Sequence, residues 1–269
     1  MRGRKLLLPR LLVAAFAMTM SPLGLAQSGQ AGALYRPVEL KLQATARRLF
    51  SSYRREYPGQ TFYTENFYPI GWSKSGNFAY YVEPVDEACG CYFAKLFILD
   101  LKSDKVLWTF EHEGDSIDED QKAGKPYSFS TLWRAKRKLF TDKLREHGIE
   151  PQGRFSLLSF PASYKGDSLM ADFKAKRKDG LGEDAKIYGV VGTLNLQLAS
   201  KRNGKKTVLD YSYPGEDGLP LYVGMVGYVQ SPFEPRIAVI LMEIYRGYEG
   251  PPNTGTVKIV GANLATGFK

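Results

Sequence analysis

Two cysteines and two histidines in 269 residues leave little material for metal or nucleophilic chemistry. Cys89 and Cys91 flank a single glycine, and the histidines, His112 and His147, stand far apart. A zinc or iron site needs three or four converging His, Cys or carboxylate ligands, and a Ser–His or Cys–His arrangement needs a histidine to spare. The chain has no G-x-S-x-G turn and no H-E-x-x-H, the signatures of many serine hydrolases and zinc peptidases. Gly224-Met225-Val226-Gly227 lies inside a strand pattern and does not open a helix, so it is not a phosphate loop. Long apolar runs are also scarce. Leu11 to Met20 is the longest, about half of what crossing a bilayer requires. These absences predict no cofactor, no metal, no catalytic residue of those classes and no membrane span in the mature chain.

The run from Leu11 follows Arg2, Arg4, Lys5 and Arg10 and precedes a short segment ending Gly24-Leu25-Ala26. Basic, apolar, then small residues is the layout of a secretory signal peptide, here residues 1–26. No cysteine follows Ala26 at once, which argues against a lipid anchor. The formal charge of +9 falls to +5 without the four positive charges of that segment. A mildly basic exported protein, secreted or periplasmic, is the expectation, and nucleic acid is not its expected partner.

Seventeen tyrosines and fifteen phenylalanines favour strands. Residues 27–36 read as a disordered lead-in and 37–269 as one β-rich domain. Within it, Val38, Leu42, Ala46, Leu49, Phe50, Tyr53 and Tyr57 recur at three and four, predicting a helix over 37–57. Its other face carries Arg47, Arg48, Arg54 and Arg55, read as solvated or, less economically, as a polyanion site. A second helix is predicted over 130–147, packed through Leu132, Ala135, Leu139, Phe140 and Leu144 and capped by Ser130 and Gly148. Phe78, Tyr80 and Val82 alternate after a Ser75-Gly76-Asn77 turn, in a segment spanning 61–111. Phe93 to Leu101 is apolar at every other step and between, as in a strand covered on both faces. The six carboxylates of residues 111–120 read as an acidic loop ahead of the second helix and do not have calcium-loop spacing. From 154 to 264 strands dominate, one with Leu169, Ala171, Phe173 and Ala175 opposed to a basic face, and Asn203-Gly204 marks a hairpin.

Part of the chain repeats. Gly71-Trp72-Ser73-Lys74-Ser75 parallels Gly227-Tyr228-Val229-Gln230-Ser231, each apolar strand then runs to a glutamate, Glu83 or Glu243, and Asp100-Leu101-Lys102-Ser103 parallels Asn263-Leu264-Ala265-Thr266. The pattern W-S-x-x-G-x-x-A-Y followed by L-F-I-L-D-L-K-S-D resembles a blade of the β-propellers of the Tol-system periplasmic protein and WD-repeat relatives. The chain from 27 onward is also similar to an uncharacterised family of bacterial exported proteins, through G-W-S-K-S-G-N-F-A-Y, A-C-G-C-Y and S-P-F-E-P-R-I-A-V. The resemblance implies export and brings no known activity with it. Closure of a propeller takes four or more blades, and two or three can be counted. The expected fold is mainly β, with antiparallel sheets in an incomplete propeller-like or sandwich-like arrangement and two packed amphipathic helices.

Three chemistries stay open. Cys89 and Cys91 either pair across Gly90, stay free or bridge other chains, or serve redox or metal chemistry. Glu83 and Glu243, with Glu111 and Glu113, are candidate acids for a hydrolase of envelope polymers; Glu243 otherwise pairs with Arg246 or Arg236. The first expectation is a non-enzymatic protein that binds an envelope protein or polymer.

Overall fold

Alternation of period two in the sequence becomes three hydrogen-bonded sheets in a computed structural model describing residues 35–178, 189–215 and 217–269. The predicted signal peptide, most of the lead-in and Tyr188 fall outside the described residues. Among these, Tyr35–Lys269 forms one unit, in which no helix is long and apolar enough to cross a membrane.

The first sheet is an up-and-down meander of β2 (Asn66–Trp72), β3 (Asn77–Glu83), β4 (Cys91–Asp100) and β5 (Lys105–Ser116), with β6 (Glu150–Pro151) beside β2. The second joins β11 (Tyr222–Gln230), β12 (Arg236–Tyr245) and β13 (Asn253–Asn263), with β1 (Phe62–Thr64) parallel to β13 at its edge. The third holds β7 (Ala162–Tyr164), β8 (Asp167–Lys178), β9 (Val190–Ser200) and β10 (Gly204–Ser212). The Asn203-Gly204 hairpin stands as predicted, between β9 and β10.

The sheets stack face on face. Phe78, Tyr80 and Val82 of the first meet Ala238, Ile240 and Met242 of the second, and Phe50 and Tyr53 of helix α1 (Gln43–Glu56) complete that core. On the second sheet's opposite face, Ile237, Val239 and Leu241 pack on Leu194, Leu196 and Leu198 of the third. The first sheet's remaining face, Ile70, Ala79, Tyr81 and Leu96, lies under Leu132, Trp133, Phe140 and Leu144 of helices α3 (Phe129–Ala135) and α4 (Arg137–Glu146). Each fully buried side chain of this size contributes roughly 1.5–3 kcal/mol. The third sheet ends the stack because Asp172, Lys174 and Lys176 turn its outer face to solvent. The chain is thus mainly β, propeller-like in its succession of sheets and sandwich-like in its lack of closure.

The internal repeat is physical. Ser73 N–H donates to Asn77 O and Ser231 N–H to Arg236 O, both at 2.9 Å. Leu101 N–H donates to Gly76 O at 3.1 Å and Leu264 N–H to Pro235 O at 2.6 Å. Asp100 and Asn263 each fold their side chains onto the N–H two residues on, at 2.9 and 2.8 Å. So β2–β3–β4 corresponds to β11–β12–β13. The alignment by sequence is off by two at its start: Ser73, not Ser75, matches Ser231. Each first strand carries a bulge beside a glycine where another chain segment crosses. A Cβ on Gly71 would strike the Glu150 carbonyl, and one on Gly227 the Leu158 carbonyl.

Several elements depart from the sequence reading. The first helix begins at Gln43, because residues 35–40 form a strap: Tyr35 hydroxyl donates to Ile70 O at 2.9 Å and Leu40 N–H to Phe67 O at 2.8 Å. Val38 is accordingly 59% exposed. The second helix is broken at Lys136 into α3 and α4 and is capped by Ser128 in a box with Thr131, not by Ser130. The kink sets Phe140 5.1 Å from Trp133 and leaves Ala135 and Leu139 exposed. Strands covered on both faces are β2, β3 and β12; on β4, Phe93, Lys95 and Phe97 are only half-buried. The acidic stretch is not a loop. Glu111, Glu113 and Asp115 occupy the outward positions of edge strand β5, and Asp118 to Asp120 lie in the short helix α2 (Ile117–Lys122).

Candidate anion-binding groove

Helix α1 packs on the second sheet through its N-cap Leu42 and through Ala46, Phe50 and Tyr53, and beside that buried face it carries a polar stripe along the β1 edge. Gln43, Arg47, Ser51 and Arg54 follow one another at three- and four-residue steps, which aligns them on a helix. Gln43 anchors the stripe: its Oε1 accepts from Thr64 N–H at 2.8 Å and Thr64 hydroxyl at 2.7 Å, and its Nε2 donates to Phe62 O at 3.3 Å. Beyond that anchor helix and strand diverge over a hollow of about 550 Å³, lined by Arg47, Arg48, Arg54, Gln60, Phe62 and Tyr63. The floor is fixed. Gln60 is buried and its Oε1 accepts from Asn253 Nδ2 at 2.9 Å, while Asn253 N–H donates to Thr61 O at 2.7 Å.

Among the described residues, Arg47, Arg48 and Arg54 form no ion pair. Several basic residues elsewhere in the chain are engaged. Arg177 makes a two-pronged pair with Glu56, with Nη2 to Oε2 at 2.7 Å, and lies over the Tyr57 ring. Lys174 pairs with Asp172 at 2.8 Å. Lys206 donates to the carbonyls of Asn263 and Thr266, and burial pulls its ammonium down to about 8. On α4, Lys138 pairs with Asp142 at 2.6 Å and Lys143 with Glu146 at 2.8 Å. Guanidinium forks suit the paired oxygens of carboxylates and phosphates, so α1 presents a cationic wall whose hydrogen-bonding capacity is unspent.

The proposed acids do not converge. Glu83 ends β3 at the rim of a second hollow, accepting from Tyr68 hydroxyl at 2.6 Å and Asn66 Nδ2 at 3.0 Å. Glu243 lies 7% exposed between the second and third sheets. It accepts from the Tyr213 and Tyr245 hydroxyls and pairs with Lys258 Nζ at 3.5 Å. Lys258 is thus an ion-pair partner that the sequence did not suggest, and Arg236 pairs instead with Glu234 at 2.7 Å. The register explains the separation: Asn77 corresponds to Arg236, so Glu83 is six residues on and Glu243 seven, which turns them to opposite faces. Glu111 pairs with Lys95 at 3.5 Å, and Asp115 with Lys125 at 2.7 Å. No group of three His, Cys, Asp or Glu is arranged for a metal among the described residues.

Cys89 and Cys91 are joined to each other, their Cα atoms 5.1 Å apart. Asp86 organises the loop, its carboxylate accepting from Cys89 N–H at 3.2 Å and Cys91 N–H at 3.1 Å.

Two residues escaped the sequence reading. Tyr63, 55% exposed, is the single outward side chain of β1, and a three-residue strand carries too little alternation to reveal it. Glu65 follows it, buried between the first two sheets. Its own N–H donates to Gly255 O at 2.9 Å, and its Oε1 accepts from Val257 N–H at 2.6 Å, continuing the β1–β13 ladder with a side chain. Burial pushes its carboxyl up to about 8, with the Val257 N–H and Lys95 acting in the opposite sense. Set against family models, curated protein sequences and solved structures, the chain matches none of them, so the groove has to be understood from its own side chains.

Proposed function

We propose that this chain is an exported, non-enzymatic protein of the bacterial envelope that holds an anionic partner in the groove between α1 and β1. The observation that carries the reading is the set of three unpaired guanidinium groups, Arg47, Arg48 and Arg54, over a floor locked by Gln60 and Asn253. Export is supported by the basic, apolar and small layout of residues 1–26 and by the resemblance to bacterial exported proteins. A Cys89–Cys91 bridge fits an oxidising compartment. Dispersal of Glu83, Glu111 and Glu243 among separate ion pairs and hydrogen bonds weighs against the hydrolase alternative, which needs two carboxyls facing one substrate.

The test is retention of the protein on a native envelope fraction across a salt series. Retention at low salt that fades at high salt, and is absent in an Arg47→Gln/Arg48→Gln/Arg54→Gln variant with unchanged thermal stability, is the expected result. Equal retention of that variant removes the reading.

A further inference from the structure

Tyr63 lines two hollows at once. On one side lies the arginine groove; on the other, a hollow of about 310 Å³ includes Thr64, Asn66, Glu83, Cys91 and Phe93. The two sides differ in chemistry. The first offers fixed positive charge. The second offers an acceptor, the Glu83 carboxylate, whose Oε2 takes hydrogen bonds from both Asn66 Nδ2 and Tyr68 hydroxyl and which the Tyr92 hydroxyl also approaches. An exposed aromatic ring separates them.

A ligand matching all three parts is elongated, carries an acid at one end, presents a flat apolar face in the middle and offers hydroxyl donors at the other end. An acidic saccharide meets that description. A pyranose ring buries its C–H face on an aromatic side chain, its uronate carboxylate is a two-oxygen partner for guanidinium, and its hydroxyls donate to carboxylate acceptors. A simple polyanion uses only the arginines. An anionic peptide satisfies the arginines as well, but a third feature speaks against strand addition: Gln43 already occupies the outward N–H and C=O of β1.

We infer that the groove binds an acidic oligosaccharide across Tyr63, with the uronate at Arg47 and Arg54 and the neighbouring ring's hydroxyls at Glu83. This rests on the anion-binding reading above and narrows it to one ligand class. Binding is set by the arginines, and selection of a sugar over other anions is set by Tyr63 and Glu83.

Isothermal titration with a defined oligogalacturonate, with a neutral glucan oligomer and with polyphosphate of equal charge tests it on the whole chain. The expected result is oligogalacturonate binding that weakens about tenfold or more in Tyr63→Ala, a loss of about 1.4 kcal/mol, and is retained in Tyr63→Phe. Glu83→Gln weakens it about threefold, and the neutral oligomer does not bind. Tyr63 is exposed and Glu83 half-buried, and thermal melts of the variants verify folding. Equal binding of polyphosphate, indifferent to Tyr63→Ala, overturns the saccharide assignment and leaves the anion-binding reading standing. Absence of binding to either anion, or binding unchanged when Arg47 and Arg54 are replaced by Gln, overturns both.

Discussion

The repeated units β2–β3–β4 and β11–β12–β13 share turns, exits and a glycine-flanked bulge, yet different neighbours cover them. In the first unit one face lies under helices α3 and α4; in the second the matching face meets another sheet. A hairpin scaffold therefore does not dictate what it packs against. The residues beyond the backbone signature decide that: aromatic Tyr68, Tyr81 and Tyr92 under the helices, aliphatic Ala238, Ile240 and Met242 under a sheet. The same difference separates the terminal glutamates, one at a rim and one between sheets.

Removing those glutamates should show the widest contrast. Glu243→Ala strands the Tyr213 and Tyr245 hydroxyls and leaves Lys258 without its partner, at a cost of about 3 kcal/mol or more. Glu83→Ala leaves only the Tyr68 hydroxyl and Asn66 without their acceptor, at a half-buried rim, and should cost about 1 kcal/mol. Denaturant midpoints measure both, and equal losses would abolish the distinction between the two units.

Glu65 sits where the units meet. Its folded-state carboxyl titrates near 8, above the ordinary carboxylate range, so the folded chain holds this proton more tightly than the unfolded chain does. Stability from this group is therefore full below the unfolded value near 4.5 and is lost as pH rises through about 8. Glu65→Gln keeps the acceptor for Val257 N–H and removes the titration. At pH 9 it should exceed the parent by roughly 2–4 kcal/mol, and at pH 4 the two should nearly coincide. Parallel stability curves for parent and variant would show that Glu65 does not link the units.

Gly71→Ala and Gly227→Ala probe the bulge in the first strand of each unit, the two lying two residues apart in the matched register. Each new Cβ meets a carbonyl of a crossing segment, and each should cost about 1–3 kcal/mol, within a factor of two of the other. A cost at only one of them would mean the bulges are alike in shape and unlike in role.

The smallest effect concerns a loop the second unit lacks. Replacing Cys89 and Cys91 by Ser opens a three-residue ring, and the chain-entropy gain of so small a ring is about 1.5 kcal/mol at most. A drop in thermal midpoint well beyond that figure would assign the bridge a larger part in the β3–β4 connection.

Much of this was legible in the residues. Alternation gave β3, β8 and β9, Asn203-Gly204 gave a hairpin, and the Asp100/Asn263 correspondence marked the repeat because a side chain folding onto its own backbone needs no distant partner. Failures came where tertiary contacts override local pattern. The Pro37–Leu42 segment has helical spacing but bonds to β2 instead, and Lys136 interrupts a periodic stretch so that Trp133 and Phe140 can share one pocket. The acidic run carried a period of two, Glu111, Glu113, Asp115, that charge density obscured; such charges guard an edge strand. Of the groove, the arginines were visible as a helix face. Their lack of partners was not, because pairing depends on Glu56, Asp142 and Asp172 lying near other basic residues.

The amide of Gln43 has a consequence for how this molecule behaves in a crowd. By occupying the outward hydrogen-bonding groups of Phe62 and Thr64 it denies neighbouring copies a template on which to zip into fibres. Its replacement by Leu should speed cross-β assembly from this rim, read as a faster rise of thioflavin T fluorescence than in the parent.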